Sequence, residues 1–195
     1  MTPPNTVTLL RILLTPIFIG LLFSSDPLNK QFAFAVFTIA ALTDWYDGIL
    51  ARRYGIISRF GKFFDPLADK ILTSTAFIGF YFLGYAKLWM VVAIVFRDLL
   101  ITILRMYSEY KNQQFDTSNF AKTKTALQLL IIYFILLIEV INSTTTYSNT
   151  IRAEVNSILT PFVIELSMWI VTLSTVVTGI FYLVNNRKTI SLLFK

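Results

Sequence analysis

Residues 43–70 read TDWYDGILARRYGIISRFGKFFDPLADK and hold four aspartates, Asp44, Asp47, Asp65 and Asp69, between two of the most apolar segments of the chain. A carboxylate at a membrane boundary is costly unless it is paired, solvated or bound to a cation. Packing alone would not keep four of them at one place. The stretch therefore predicts a metal site at the junction of two membrane helices.

The spacing of these aspartates predicts how the site is built. Asp44 and Asp47 are three residues apart and Asp65 and Asp69 are four apart, so each pair shares one face of a helix. A short loop between the helices would bring the two pairs together, where they can hold one Mg²⁺ ion or a pair of ions. The alternative is that the acids are interface residues paired with nearby basic side chains, namely Arg52, Arg53, Arg59 and Lys62.

Composition limits both the class of protein and its chemistry. Of the 195 residues, 55% are hydrophobic and 14% are charged, and the mean hydropathy is +0.67, which is too apolar for an ordinary soluble domain. The chain has no cysteine, which excludes disulfides, iron–sulfur clusters and thiolate chemistry. It has no histidine, the commonest metal ligand and general base. Any metal is therefore held by oxygen, which favours Mg²⁺, Mn²⁺ or Ca²⁺, and a carboxylate is the expected base.

Six apolar segments are candidates to cross a bilayer, which takes about 20 residues per helix. They cover residues 7–23, 32–50, 66–82, 88–104, 125–141 and 161–184. Pro16 is expected to kink the first segment, leaving residues 5–14 as a short helix at the membrane interface. The prediction is an all-α integral membrane protein, a single domain over residues 1–195, with six transmembrane helices and a short N-terminal interfacial helix.

The basic residues predict the orientation. Six spans place both termini on one side; if that side is the cytoplasm, 14 of the 17 basic residues are cytoplasmic and only Lys30, Lys87 and Arg152 lie opposite. We therefore predict a multi-pass protein of the cell (inner) membrane, with both termini and the aspartates at the cytoplasmic face. The net charge of +6 would then face anionic lipid and an anionic substrate.

The acidic stretch resembles the signature of a known family at every fixed position. The pattern D-x2-D-G-x2-A-R-x8-G-x3-D-x3-D is similar to that of the CDP-alcohol phosphotransferases. The resemblance implies a membrane enzyme with six transmembrane helices, usually a homodimer, that transfers a substituted phosphate from a CDP-linked donor to an alcohol and releases CMP. It also implies a pair of divalent ions, Mg²⁺ or Mn²⁺, and no nucleic-acid partner.

Carried over residue by residue, the resemblance implies roles for the motif. Asp44, Asp47 and Asp65 would bind the metal ions with Asp69 close by, and Asp69 would also be the base that takes the acceptor's proton. The CDP pocket would be lined by Gly48, Ala51, Arg52 and Gly61. From the N-terminal segment, Asn5 and Thr8 could also reach the CDP group, although a plain helix cap at Asn5 is equally compatible with the sequence.

Three further segments resemble the bacterial phosphatidylglycerophosphate synthases within this family. They are Pro4-Asn5-x-x-Thr8-x-x-Arg11, residues 97–105 (RDLLITILR) and residues 121–128 (AKTKTALQ). This resemblance covers roughly residues 4–128, and the last third of the chain is unremarkable beyond being apolar. It implies CDP-diacylglycerol as the donor and glycerol 3-phosphate as the acceptor.

Departures from the pattern leave a second acceptor open. Asp98 stands where these synthases usually have Glu, and an Arg-Asp pair is also found in cardiolipin synthases, whose acceptor is phosphatidylglycerol. Those generally lack the following Leu-Arg, which this chain has at Leu104-Arg105. Thr102 and Ala121 replace Ser and Gly. We favour phosphatidylglycerophosphate synthesis over cardiolipin synthesis. Phosphatidylinositol-phosphate synthesis and phosphatidylserine synthesis are less favoured than either of these.

Four basic residues are candidates for binding a phosphorylated acceptor: Arg97, Arg105, Lys122 and Lys124. An intramembrane arginine such as Arg97 is a functional candidate by default, and the alternative is a structural pair with Asp98 or a motif acid. Lys122 and Lys124 could equally be ordinary cytoplasmic-side charges.

Two other classes of function compete with the enzyme. A divalent-cation transporter would place acids near the bilayer midplane, whereas these flank a predicted cytoplasmic loop and Glu139 and Glu165 look like boundary residues on the opposite side. A membrane scaffold explains the hydrophobicity but not the motif.

Overall fold

The computed structural model describes residues 3–54, 59–111, 119–144 and 161–193, and all regular secondary structure within these ranges is helical. Side chains are described for residues 9–43, 67–111, 123–144, 162–187 and 189–191. The helices are α1 (Pro3–Leu22), α2 (Pro27–Tyr54), α3 (Arg59–Phe82), α4 (Leu88–Tyr110), α5 (Asn119–Ser143), α6 (Pro161–Asn185) and the short α7 (Arg187–Leu193). The all-α prediction is confirmed for these ranges.

The first helix differs from the prediction of a short interfacial segment that ends before Pro16. Helix α1 is continuous from Pro3 to Leu22 and contains Pro16, so no separate short helix ends before Pro16, while the kink and the interfacial position stay predictions. A proline within a helix removes one backbone hydrogen bond, which neighbouring groups can compensate in an apolar bundle.

The long helices form one bundle. Helix α1 packs against α2 and α3, α2 against α5, α3 against α4 and α5, and α6 closes the bundle against α4 and α5. On α3, Leu72, Ala76 and Phe80 repeat every four residues and all three are buried. The rings of Phe18 and Phe37 lie 5.3 Å apart and join α1 to α2 in the core. Helix α3 therefore contacts both α4 and α5.

The described helices support membrane association, while the count of six spans stays a prediction. Two stretches with described residues are long and apolar enough to cross a bilayer, Thr123–Ser143 and Phe162–Asn185, and Leu9–Leu22 is apolar but shorter. Arg97 and Asp98 interrupt the apolar run of α4. Large apolar side chains are exposed on the outer faces of the helices, as a lipid environment requires; among them are Leu13, Phe32, Phe96, Leu130 and Val177.

A polar cluster joins three parts of the bundle at the end remote from the aspartate motif. Glu139 of α5 is buried and accepts hydrogen bonds from the ammonium of Lys30 on α2 and from the hydroxyl of Tyr85 in the α3–α4 turn. Burial, followed by this hydrogen bond, raises the pKa of the Tyr85 phenol. Glu139 is therefore an internal link and not a simple boundary residue. The tight turn beside Tyr85 uses Gly84 at φ 81°, a conformation that favours glycine.

Candidate active site

The four motif aspartates lie on two consecutive helices of the bundle. Asp44 and Asp47 are in α2, and Asp65 and Asp69 are in α3, so the helical spacing that the sequence predicts is present on both. Of these four side chains, only that of Asp69 is described. The backbone alone is also described for the proposed CDP-binding residues and for Lys122: Asn5 and Thr8 in α1, Gly48, Ala51 and Arg52 in α2, Gly61 in α3 and Lys122 in α5.

Asp69 stands at the inner end of the motif with a partly exposed carboxylate. Its side chain is 28% exposed and pairs with the ammonium of Lys70 at 3.0 Å. Its backbone carbonyl accepts a hydrogen bond from the hydroxyl of Thr73 at 3.1 Å. A base that must receive a proton from a substrate has to be reachable, and this carboxylate is.

The metal prediction depends on the donor chemistry of the motif. Among residues with described side chains no group of three acidic, histidine or cysteine ligands occurs, and three of the four motif aspartates lie outside that part of the chain. The motif offers carboxylate oxygens on two adjoining helices, a donor set that fits Mg²⁺ or Mn²⁺.

One turn of α4 and the start of α5 form a buried ionic cluster around Asp98. Asp98 is only 3% exposed and accepts from the ammonium of Lys124, which is 1% exposed. Its other oxygen accepts from the side-chain amide of Gln128 at 3.1 Å. Arg97 donates from Nη1 to the first oxygen at 3.1 Å. The predicted acceptor residues Arg97 and Lys124 thus meet at one carboxylate, and the pair Arg97–Asp98 anticipated as an alternative is present.

Lys70 connects the Asp98 cluster to the motif. Its ammonium pairs with Asp69 and interacts electrostatically with Asp98 and Arg97. Lys70 therefore pairs with Asp69, while Arg97 and Lys124 pair with Asp98. Cations grouped in this way next to the motif suit an anionic ligand beside Asp69.

Arg105 lies apart from these contacts. Its guanidinium is 54% exposed and pairs with Glu109 one turn further along α4, at 3.3 Å. Exposed pairs of this kind are worth little to stability, so Arg105 retains the freedom to turn towards a ligand.

Helix α6 contributes to the Asp98 cluster, which the sequence did not indicate. Arg97 donates from Nη2 to the hydroxyl of Thr178 at 3.1 Å, and the aliphatic part of Arg97 lies against Gly179. A signal for this contact exists in the chain, because small and hydroxylated residues in an apolar helix mark close helix packing. Neither the motif nor its resemblances extend that far.

Comparison with known proteins is consistent with this arrangement. The CDP-alcohol phosphatidyltransferase family matches residues 1–181. The chain is 32% identical to the CDP-diacylglycerol–glycerol-3-phosphate 3-phosphatidyltransferase of Bacillus subtilis (strain 168), over 96% of both chains. It is 31% identical to the protein of the same name from Rickettsia bellii (strain RML369-C), over 92% of both. It is 42% identical to a probable phosphatidylglycerophosphate synthase of Mycobacterium tuberculosis (strain H37Rv), over 52% of this chain and 50% of that one.

Proposed function

The chain belongs to the CDP-alcohol phosphatidyltransferase family, and from this premise we propose that it transfers the phosphatidyl group of CDP-diacylglycerol to glycerol 3-phosphate. The products are phosphatidylglycerophosphate and CMP. The names of the two relatives that match over more than nine-tenths of the chain support this donor and acceptor.

The observation that carries the acceptor assignment is a set of three cations at the inner end of the motif. Arg97 and Lys124 pair with Asp98, and Lys70 pairs with Asp69. Placing cations in an apolar bundle is costly unless they are paired or used. A phosphorylated acceptor would offer negative charge to these cations, whereas serine carries no phosphate. Arg105 and Lys122 complete the proposed acceptor site at its cytoplasmic rim.

The proposed reaction divides its work among the motif residues. Asp44, Asp47 and Asp65, with Asp69 adjacent, would hold Mg²⁺ or Mn²⁺, which when bound neutralises the charge of the donor diphosphate. Gly48, Ala51, Arg52 and Gly61, with Asn5 and Thr8, would hold the CDP group. Asp69 takes the proton of an acceptor hydroxyl while that oxygen attacks the phosphorus that bears diacylglycerol. A new P–O bond forms, the bond from this phosphorus to the bridging oxygen breaks, and that oxygen leaves with CMP.

The proposed topology has six spans, with both termini and the active site on the cytoplasmic side of the cell membrane, and the proposed assembly is a homodimer.

Because the chain has no cysteine, single thiols can be placed without other changes. We expect Asp26→Cys, in the α1–α2 turn, to react with a membrane-impermeant maleimide in right-side-out vesicles, and Lys111→Cys to react only in inside-out vesicles. The opposite pattern would invert the orientation, and labelling of both on one side would reject the span count. The particle mass in detergent checks the dimer.

The function is tested by measuring CMP release from CDP-diacylglycerol by the purified protein in detergent. We expect turnover with glycerol 3-phosphate and none with phosphatidylglycerol, inositol phosphate or serine when each is offered alone. Chelation with EDTA should abolish turnover, and Mg²⁺ or Mn²⁺ should restore it, because the diphosphate charge is then neutralised again.

Each of the other outcomes of this assay contradicts a different part of the proposal. Turnover with phosphatidylglycerol alone would make the chain a cardiolipin synthase and overturn glycerol 3-phosphate as the acceptor. If folded protein released no CMP with any of the acceptors, the proposed acceptor would be overturned. Activity that is indifferent to EDTA would reject the metal assignment.

A further inference from the structure

Two adjacent residues of α6, Thr178 and Gly179, form a seat for the side chain of Arg97. The hydroxyl oxygen of Thr178 accepts a hydrogen bond from Arg97 Nη2 at 3.1 Å. The hydroxyl proton is itself donated to the carbonyl of Ser174 at 2.7 Å. Because that proton is engaged with the helix backbone, the oxygen is oriented as an acceptor towards the guanidinium.

Gly179 provides the space in which Arg97 lies. A Cβ atom at position 179 would stand 2.8 Å from Arg97 Cγ and 3.3 Å from Arg97 Nε. The first distance is too short for two carbon atoms, so any side chain at this position would displace Arg97 from its path. The glycine is therefore a requirement of the arginine conformation and not of the α6 backbone.

The seat leaves donors of Arg97 for a ligand. A guanidinium has five N–H donors, and the contacts to Asp98 and Thr178 use one from each terminal nitrogen. Because its two terminal nitrogens are held by residues of α4 and α6, the side chain loses little further freedom when an anion binds, which lowers the entropic cost of binding.

We propose that Thr178 and Gly179 are positioning residues that hold Arg97 beside Lys124 for binding the anionic phosphate group of the acceptor. This inference rests on the proposed function, because it takes Arg97 to be a residue of the acceptor site. It extends that site to α6.

The proposal is tested with three variants, Thr178→Val, Thr178→Ser and Gly179→Ala, in the CMP-release assay with glycerol 3-phosphate. Valine keeps the shape of threonine and removes the acceptor oxygen, whereas serine keeps the oxygen. We expect Thr178→Val and Gly179→Ala each to raise KM for glycerol 3-phosphate roughly tenfold. The value of kcat and the KM for CDP-diacylglycerol should stay within about twofold of the unmodified protein, and Thr178→Ser should restore KM.

Two references separate the possible outcomes. Gly20→Ala adds a methyl group where nothing lies within 4 Å and should leave every constant unchanged; Arg97→Ala reports the full contribution of the arginine. If Arg97→Ala raises KM for glycerol 3-phosphate but Thr178→Val and Gly179→Ala do not, the seat is rejected and the proposed function stands. If these variants lower kcat and thermal stability and raise both KM values together, the role of Thr178 and Gly179 is structural and the proposal fails. If the unmodified protein does not use glycerol 3-phosphate, the proposed function falls and this inference with it.

Discussion

Asp69→Asn is expected to lower kcat for CMP release by roughly 10²- to 10⁴-fold, the usual contribution of a positioned general base. Asparagine has nearly the shape of aspartate but cannot take the acceptor's proton at neutral pH. The substitution also removes one negative charge from the motif, so the apparent affinity for Mg²⁺ should fall as well. The measurement is the initial rate at saturating donor, acceptor and metal.

The matched control is Asp26→Asn, the same chemical change at the residue that precedes α2. Asp26 is exposed and accepts from the backbone N–H of Leu28 at 2.9 Å, a role that asparagine can also fill. Both variants should unfold in detergent at close to the unmodified temperature, because the Asp69–Lys70 pair is partly exposed. A kcat for Asp69→Asn that stays within about threefold of the unmodified protein would exclude Asp69 as the base.

Asp98→Ala is expected to have the largest effect on stability. The change leaves the ammonium of Lys124, 1% exposed, and the guanidinium of Arg97, 13% exposed, without their shared carboxylate. Removing one partner of a buried ion pair costs about 3–5 kcal/mol, because the remaining charge is buried without compensation. Unfolding of the purified protein in detergent, followed by circular dichroism against temperature or denaturant, measures the loss.

The chain offers a control and a rescue for this prediction. Glu109→Ala removes the partner of Arg105 from an exposed pair and should leave the unfolding midpoint nearly unchanged. In the double variant Asp98→Leu with Lys124→Met, the uncompensated ammonium is gone, so it should be more stable than Asp98→Ala. Equal unfolding midpoints for Asp98→Ala and Glu109→Ala would show that the Asp98 cluster does not stabilise the bundle.

Much of the arrangement follows from local spacing. The intervals of three and four between the motif aspartates require helices on both sides of a loop, and α2 and α3 are those helices. The separate short helix expected before Pro16 is not formed, because a proline costs a helix one backbone hydrogen bond and the packing of α1 against α2 and α3 outweighs that loss. The local sequence predicts the cost of a proline within a helix, but it does not predict the stabilisation that tertiary packing provides.

The contacts of Arg97 also include one that the sequence predicts and one that depends on tertiary packing. Its bond to Asp98 joins neighbours in the sequence and was foreseen as an alternative, whereas its bond to Thr178 joins residues 81 positions apart. No periodicity or motif links such positions, and only the packing of α6 against α4 brings them together. The candidate ligand residues can therefore be predicted from the chain, whereas the contact that orients Arg97 from α6 cannot.

Because the helices are synthesised in order, the Asp98 cluster also bears on how they insert into the membrane. In the proposed topology, α4 enters the membrane before Lys124, which is made 26 residues after Asp98 and lies on α5. An isolated charge in the apolar phase is unfavourable, so α4 and α5 would gain by partitioning into the lipid as a pair. Thr178 arrives only with α6, and the network of Arg97 closes when this last long helix of the described chain is inserted. Membrane insertion of α6 and completion of the Arg97 network would in this sense be one event.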